Sequence, residues 1–458
     1  MPEDDSRPST ARAATLVAGT VCLLCPWTSR PTLSLAYCLL LIALGLAVLR
    51  GVRGPSRNVP AWPVLWLMAL ASLVGVLLCA GISLAQGAAA PLVAASASVT
   101  VVAGARVVLG SGPPGCVTLG LLAAGCAILL WGVIAGWDQP IDVKLFVRGG
   151  LDALAHGQSP YAITISDVYE PGESARFYGP GVVQDGRVVV GYPYLPAVLL
   201  LDLPAHLLAD AVWMHAAGVA LALVLGWQVA IDRLGRVAIV VLALSPATPF
   251  LIANYWIEAV MVGIFALAWW SMHRHHGSLL AASLGLFFAS KQYSVVFVPA
   301  LWPILRSVGA RVVLGAVAVG LIVVTPFVVL NPDAFVRSAV EFQLIQPFRE
   351  DAVSLLPFVQ SVAGEIPSPL TTVSLLVGLV ASALVAARAK PGPTAFALCV
   401  GLGLLATVVI AKQAFLNYYA MIGAVLLLAG VGWPADDPSQ TREPSSQGSR
   451  PRGISWTR

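Results

Sequence analysis

Long apolar runs recur along the chain from Ala13 to Trp433, many close to the roughly 20 residues that cross a bilayer as a helix. The pattern predicts helices over Ala13–Trp27, Thr32–Leu49, Ala61–Leu84, Ala89–Val108 and Cys116–Gly136. A polar interval follows, from Trp137 to about Gly191. Apolar runs resume at Val212–Ile231, Val237–Ala253, Trp256–Met272, Leu279–Ser290, Tyr293–Leu305 and Val312–Leu330. After a second polar interval, from Asn331 to about Pro369, come Thr371–Ala387, Thr394–Ile410 and Phe415–Val431. The expected fold is all-α and polytopic, with about 11–14 spans and one large extracytoplasmic loop. A membrane β-barrel would show short segments of alternating polarity, which this sequence lacks.

The pattern divides the chain into N-terminal membrane helices (1–136), a first outer loop (137–193) and central membrane helices (194–330). A second outer loop (331–369), C-terminal membrane helices (370–433) and a tail (434–458) complete it. The tail is rich in Ser, Pro and charge, which predicts a disordered cytoplasmic segment. Arg7 and Arg12 precede the first apolar run without a small-residue cleavage site, so that run reads as an uncleaved helix.

Composition supports the membrane reading. Hydrophobic residues make up 58% of the 458 and charged residues only 10%, too few to cover a water-facing surface. The distribution of Lys and Arg sets the expected orientation. Arg50, Arg53, Arg57, Arg106, Arg233, Arg236, Arg274, Arg306, Arg311, Arg388 and Lys390 mark cytoplasmic turns. Both termini are then inside and both long loops outside, in the cytoplasmic membrane. This parity requires Tyr194–Ala209 to be interfacial or re-entrant, in keeping with Asp202 and Pro204 inside it, and Leu279–Leu305 to be a short helical pair bent at Lys291.

All seven cysteines, from Cys22 to Cys399, lie in apolar runs and imply no disulfide framework. His273, His275 and His276 surround Arg274 on an expected cytoplasmic turn, where they read as a membrane-flanking basic patch. No metal, cofactor, nucleotide-binding fingerprint or nucleic-acid partner is expected.

Candidate chemistry gathers where the first outer loop leaves the membrane. Asp138 and Asp142 stand a helical turn apart in number, but Pro140 between them argues against a continuous helix. Asp142 opens an amphipathic stretch to Ala155 as an expected N-cap, and the same carboxylate can cap, act chemically, or do both. Gly157-Gln158-Ser159-Pro160-Tyr161 follows as a turn, and Tyr192-Pro193-Tyr194-Leu195-Pro196 leads back to the membrane. Tyrosines at such a boundary commonly serve as interfacial anchors.

This order resembles the first outer loop of the C superfamily of glycosyltransferases. It is most similar to the bacterial α-mannosyltransferase-like branch that uses polyprenyl-phosphate sugars. Asp142–Phe146 and Gly157–Tyr161 match that branch, while Tyr192–Leu195 carries Tyr194 where a second Pro is usual. Ala289-Ser290-Lys291-Gln292 resembles its helical pair with a central Lys, and Lys412–Tyr419 resembles a late motif. Its usual Gly-Gln-x-Asn is replaced by Asn254-Tyr255-Trp256-Ile257-Glu258.

The resemblance implies transfer of a sugar, mannose or arabinose, from a polyprenyl phosphate to a hydroxyl of an envelope glycan or glycolipid on the outer side. Asp142 is then the expected general base, with Asp138 as the second candidate, since a carboxylate that takes the hydroxyl proton typically contributes about 10²–10⁴-fold. Burial there raises the carboxyl pKa and strengthens the base. Arg148, Lys144, Lys291, Lys412, Arg337 and Arg349 are outward-side cations available to a departing phosphate; Lys291 and Lys412 each interrupt an apolar run. Lys144, Arg148, Tyr161, Tyr192, Glu258, Lys291, Lys412 and Asn417 are the expected substrate contacts. The competing class is a secondary transporter or lipid-linked substrate carrier, whose marks are repeat symmetry and polar groups near the bilayer midplane.

Overall fold

The computed structural model describes residues 8–26, 30–52, 58–110, 114–137, 139–170, 172–364, 366 and 370–433. Asp138 and the tail from 434 onward lie outside them. The architecture is that of an all-α, multi-pass membrane protein. The N-terminal part holds α1 (Thr10–Leu23), α2 (Pro31–Gly51), α3 (Trp62–Ala85), α4 (Ala90–Leu109) and α5 (Cys116–Gly136). The first polar interval holds α6 (Asp142–Ala155), and α7 (Pro196–Leu208) re-enters. The central part comprises α8 (Val212–Val229), α9 (Arg233–Leu244), α10 (Ala247–Ala253), α11 (Glu258–His273), α12 (Gly277–Phe288), α13 (Leu301–Val308) and α14 (Ala310–Leu330). The second polar interval folds into α15 (Pro332–Val336), α16 (Phe342–Ile345) and α17 (Leu356–Ala363), before α18 (Leu370–Arg388), α19 (Pro393–Val408) and α20 (Leu416–Val431).

Among the described residues six helices, α2, α3, α4, α5, α8 and α14, are long and apolar enough to cross a membrane, or up to seven spans with α9 and α10 taken together. That is fewer than the apolar runs predict, because several runs fold into shorter helices. Val237–Ala253 divides into α9 and α10 with a 47° bend, since Pro246 cannot continue the helical ladder. Ser245 and Thr248 repair the break: the Ser245 hydroxyl accepts from the Ala247 amide (3.1 Å) and the Thr248 hydroxyl donates to the Leu242 carbonyl (2.8 Å). Leu279–Leu305 folds as α12, a break at Lys291, a 3-10 helix over Gln292–Ala300, and α13. The helical pair expected there is present, but its second arm starts as the tighter helix.

The α11 helix lies in the core, with Trp269 and Phe265 fully buried. It meets α8 through Gly218 and Gly263: a Cβ at Gly263 would sit 2.5 Å from the Gly218 carbonyl oxygen. Lipid supplies little hydrophobic drive between helices, so close backbone approach is how such pairs gain contact. At the far end from the polar loops, the Arg12 guanidinium on α1 pairs with Asp232, the N-cap of α9, and its Nε donates to the Gly430 carbonyl of α20 (2.9 Å).

The first polar interval is not wholly helical. Ile165–Ser166, Val183–Gln184 and Arg187–Val188 form a small antiparallel sheet in the spatial order first, third, second. It holds the intervening segment, with Tyr169, Phe177 and Tyr178, beside α6. The second interval is fastened to the first by Ser338, whose hydroxyl donates to the Tyr161 carbonyl and accepts from the Gly191 amide, both at 2.9 Å. It is fastened to the last loop by amides of Arg349, Val353 and Leu355 that donate to the carbonyls of Lys412, Ala414 and Val409.

Candidate active site

Helix α5 ends at Gly136, and the Trp137 indole N–H donates to the Asn254 side-chain oxygen (2.8 Å). The chain then turns into α6. Ile141, in an extended conformation, is the N-cap, and Asp142 is the first helical residue rather than the cap expected from the sequence. Its carboxylate accepts from the Val143 amide at 2.8 Å and lies at the positive end of the helix dipole. The amphipathic α6 buries Phe146, Val147 and Leu151, which fixes the direction in which Asp142 is presented.

Asp142 lines a cavity of about 540 Å³, within the range of roughly 300–1,000 Å³ typical of small-molecule sites. The first loop contributes Tyr169, Phe177, Pro193 and Tyr194 to its wall, and Trp256 comes from the α10–α11 turn. That turn places Tyr255 in the left-handed region at φ 54°. The second polar interval supplies Phe342, Gln343, Gln346, Arg349 and Asp351; the last loop and the start of α20 supply Gln413, Phe415, Leu416, Asn417 and Tyr418. Burial raises the Asp142 pKa above the ordinary carboxylate range, opposed by the Val143 amide, the Tyr178 hydroxyl and the Arg349 charge.

A layered stack joins the loops across this cavity. The rings of Tyr169 and Phe177 are parallel within 2°, with centroids 3.6 Å apart. The Arg349 guanidinium lies 4.2 Å from the Phe177 centroid and 5.0 Å from that of Phe415. Since the Tyr169 ring occupies one face of Phe177, the guanidinium takes the other. Arg349 also grips Asp351 in the forked manner of its functional group, Nε to one oxygen (2.8 Å) and Nη2 to the other (2.7 Å).

A second, mainly apolar groove of about 310 Å³ shares Gln343, Gln413 and Tyr418 with the first cavity as a common wall. Ala339, Val340, Leu344, Leu375, Leu404 and Val408 line it, and Leu344 is 63% exposed on the outside of the helices. Two lysines border this groove, in different electrostatic states. Lys291, 4% exposed, donates to Glu258 at 2.5 Å and sits 4.6–5.1 Å from the ring centroids of Tyr194, Tyr293 and Tyr418. Glu258 therefore offsets its charge. Lys412 donates to the carbonyls of Leu344 and Gln346, and no carboxylate lies within ion-pair distance of it among the described residues. Desolvation lowers its pKa.

Of the residues expected to contact substrate, Asp142 and Asn417 line the polar cavity, and Lys291 and Lys412 line the groove. Of the other described ones, Tyr161, Tyr192, Glu258, Lys144 and Arg148 line neither. Tyr161 and Tyr192 are fully buried in an aromatic cluster with Phe327 and Phe335, which satisfies their rings without a ligand; the Tyr161 hydroxyl donates to the Tyr194 carbonyl (3.0 Å). Glu258 is consumed by Lys291. Arg148 pairs with Asp210 and the Tyr255 hydroxyl, and Lys144 lies 5.6 Å from the Tyr255 ring centroid, so both fasten α6 to its neighbours. Asp138 lies outside the described residues.

Sequence reasoning missed Tyr169, Phe177, Tyr178, Asp351 and the three glutamines. Their loops lack periodicity; the only local signal was the clustering of aromatics between Tyr169 and Tyr178. Among the described residues no group of three or more His, Cys, Asp or Glu side chains is arranged to hold a metal. No known protein family, curated protein or solved structure matches the chain.

Proposed function

We propose that this protein is a membrane glycosyltransferase that moves a sugar from a polyprenyl phosphate to a hydroxyl acceptor. One observation carries the reading: a polar cavity with a half-buried carboxylate shares a wall with an apolar groove whose border holds an uncompensated lysine. A lipid-linked sugar has that same sequence of parts, namely sugar, phosphate and hydrocarbon. The sugar occupies the cavity, the phosphate lies near Lys412, and the prenyl chain follows the groove toward lipid.

In the transfer step the Asp142 carboxylate takes the proton of the acceptor hydroxyl as its oxygen forms a bond to the anomeric carbon. The bond between that carbon and the phosphate oxygen breaks, and the electron pair leaves with the lipid phosphate. Lys412 supplies the nearby positive charge that this leaving group requires. Gln343 and Gln413 stand on the common wall; their amide groups already donate to Pro193, and to Gln346 and Pro347, so it is their side-chain oxygens that accept hydrogen bonds from sugar hydroxyls. The geometry supports Lys412 in this role over Lys291, which Glu258 already neutralises.

The test is incubation of purified protein with polyprenyl-phospho-sugars and envelope lipid extracts, with products identified by mass. A glycosylated product is the expected result. Lys412→Gln should weaken binding of sugar-free polyprenyl phosphate by about tenfold or more, the worth of a charge-assisted hydrogen bond. Unchanged affinity would remove Lys412 from the phosphate site.

A transporter is the second reading, favoured by the fully buried Asp202–His215 pair (3.2 Å) between α7 and α8. Substrate flux in sealed vesicles without a glycosylated product would establish it.

A further inference from the structure

We infer that a second cavity, at the opposite ends of the helices from the candidate active site, seats the headgroup of an anionic phospholipid. This cavity of about 310 Å³ lies where α8, α11 and α20 end. Gln228 and Ile231 line it from the α8 side, His273 and Arg274 from α11, and Gly432 and Trp433 from α20. Among the described residues its wall carries no acidic side chain. Arg274 leans on the Trp270 ring, 5.9 Å from the centroid, and forms no ion pair among the described residues, so its N–H groups are left for a ligand. The Trp270 indole N–H donates to the Gln228 side-chain oxygen (3.0 Å), which leaves the Gln228 amide group as a further donor. Arg236 stands at the rim, with its Nη2 3.5 Å from the Ile231 carbonyl oxygen. The neighbouring carboxylate, Asp232, is already held by Arg12.

The apolar side of the cavity points to a lipid as the source of the anion. Leu221, Val224, Gln228 and Ile231 follow one another at intervals of three and four residues along α8 and just past its end, and the three apolar ones are exposed. This face belongs to a helix long and apolar enough to cross a membrane, so it meets hydrocarbon. An acyl chain can lie along it while the phosphate sits at Arg274; a free phosphate would use only half of the site. The distribution of Lys and Arg assigns this end to the cytoplasm, where basic pockets between membrane helices suit anionic headgroups. Arg274 also complements the dipole of α11, but that role requires neither a cavity nor an exposed apolar face beside it.

The experiment follows the melting temperature of the full chain in neutral detergent with added phosphatidylglycerol, phosphatidylcholine of the same acyl chains, or inorganic phosphate. A ligand that binds only the folded protein raises that temperature by mass action. Shifts are read against each variant's own lipid-free value, so a change in basal stability cancels. The wild type should rise more with phosphatidylglycerol than with phosphatidylcholine, and should not respond to inorganic phosphate. Arg274→Gln should lose most of the difference between the two lipids. Arg106→Gln, on a basic turn that does not line the cavity, should keep it. Equal rises with the two lipids, or a difference that survives Arg274→Gln, would overturn the inference. So would its loss in Arg106→Gln, which would mark a diffuse effect of surface charge. A matching rise with inorganic phosphate would give the cavity to a free anion instead. None of these outcomes depends on sugar transfer.

Discussion

The Asp142 carboxylate is poised between opposing influences. Burial favours its neutral form, while the Val143 amide, Tyr178 hydroxyl and Arg349 guanidinium favour the charged one, and burial wins. In the proposed transfer Asp142 must be ionised to act as base, so activity is expected above its pKa and should be lost as pH falls through it. The acid limb of the pH–rate profile should therefore lie above the roughly 3.9 of an unperturbed aspartate. Tyr178→Phe and Arg349→Gln each remove a group that holds this pKa down, and each should move the limb upward. A limb that stays put in both variants would separate Asp142 from the rate-determining chemistry. Asp142 was legible in the sequence because it opens an amphipathic run directly beyond an apolar helix. Tyr178, Arg349 and Asp351 owe their places to contacts between distant loops, so no local pattern marked them as its neighbours.

The helices themselves were readable as elements to within a few residues at most ends, since apolar runs of this length have few other ways to satisfy their backbone. Their interruptions were harder. Pro246 breaks an expected continuous helix into α9 and α10, and Arg337–Glu341 forms a π turn between α15 and α16 inside what read as a polar loop. The small sheet was invisible because strands of two residues carry no periodicity. Packing between elements turns on the Gly218–Gly263 approach of α8 to α11. Gly263→Val places branched atoms against the Gly218 backbone and should destabilise the protein by about 1–3 kcal/mol, the usual cost of overpacking. The melting temperature of the detergent-solubilised protein should fall accordingly, while Gly104→Ala, in open space inside α4, should not lower it, since Ala is the better helix former. Equal melting temperatures for Gly263→Val and the wild type would show that α8 and α11 do not pack as described.

For the whole molecule, the candidate site and the Arg12–Asp232–Gly430 clamp lie on segments that the distribution of Lys and Arg assigns to opposite sides of the membrane. Single cysteines introduced at Ser174 and Gln184 should label with an impermeant reagent from outside, and those at Arg233 and Arg236 should not. The reverse pattern would turn the cavity toward the cytoplasm and require a different acceptor. The account as a whole turns on the carboxylate that heads α6, and the most direct measurement compares sugar transfer by wild-type protein and Asp142→Asn with the same polyprenyl-phospho-sugar and acceptor. The expected result is transfer by the wild type and a loss of about 10²–10⁴-fold in the variant, with its binding of sugar-free polyprenyl phosphate retained. Transfer by the variant at the wild-type rate would contradict the account.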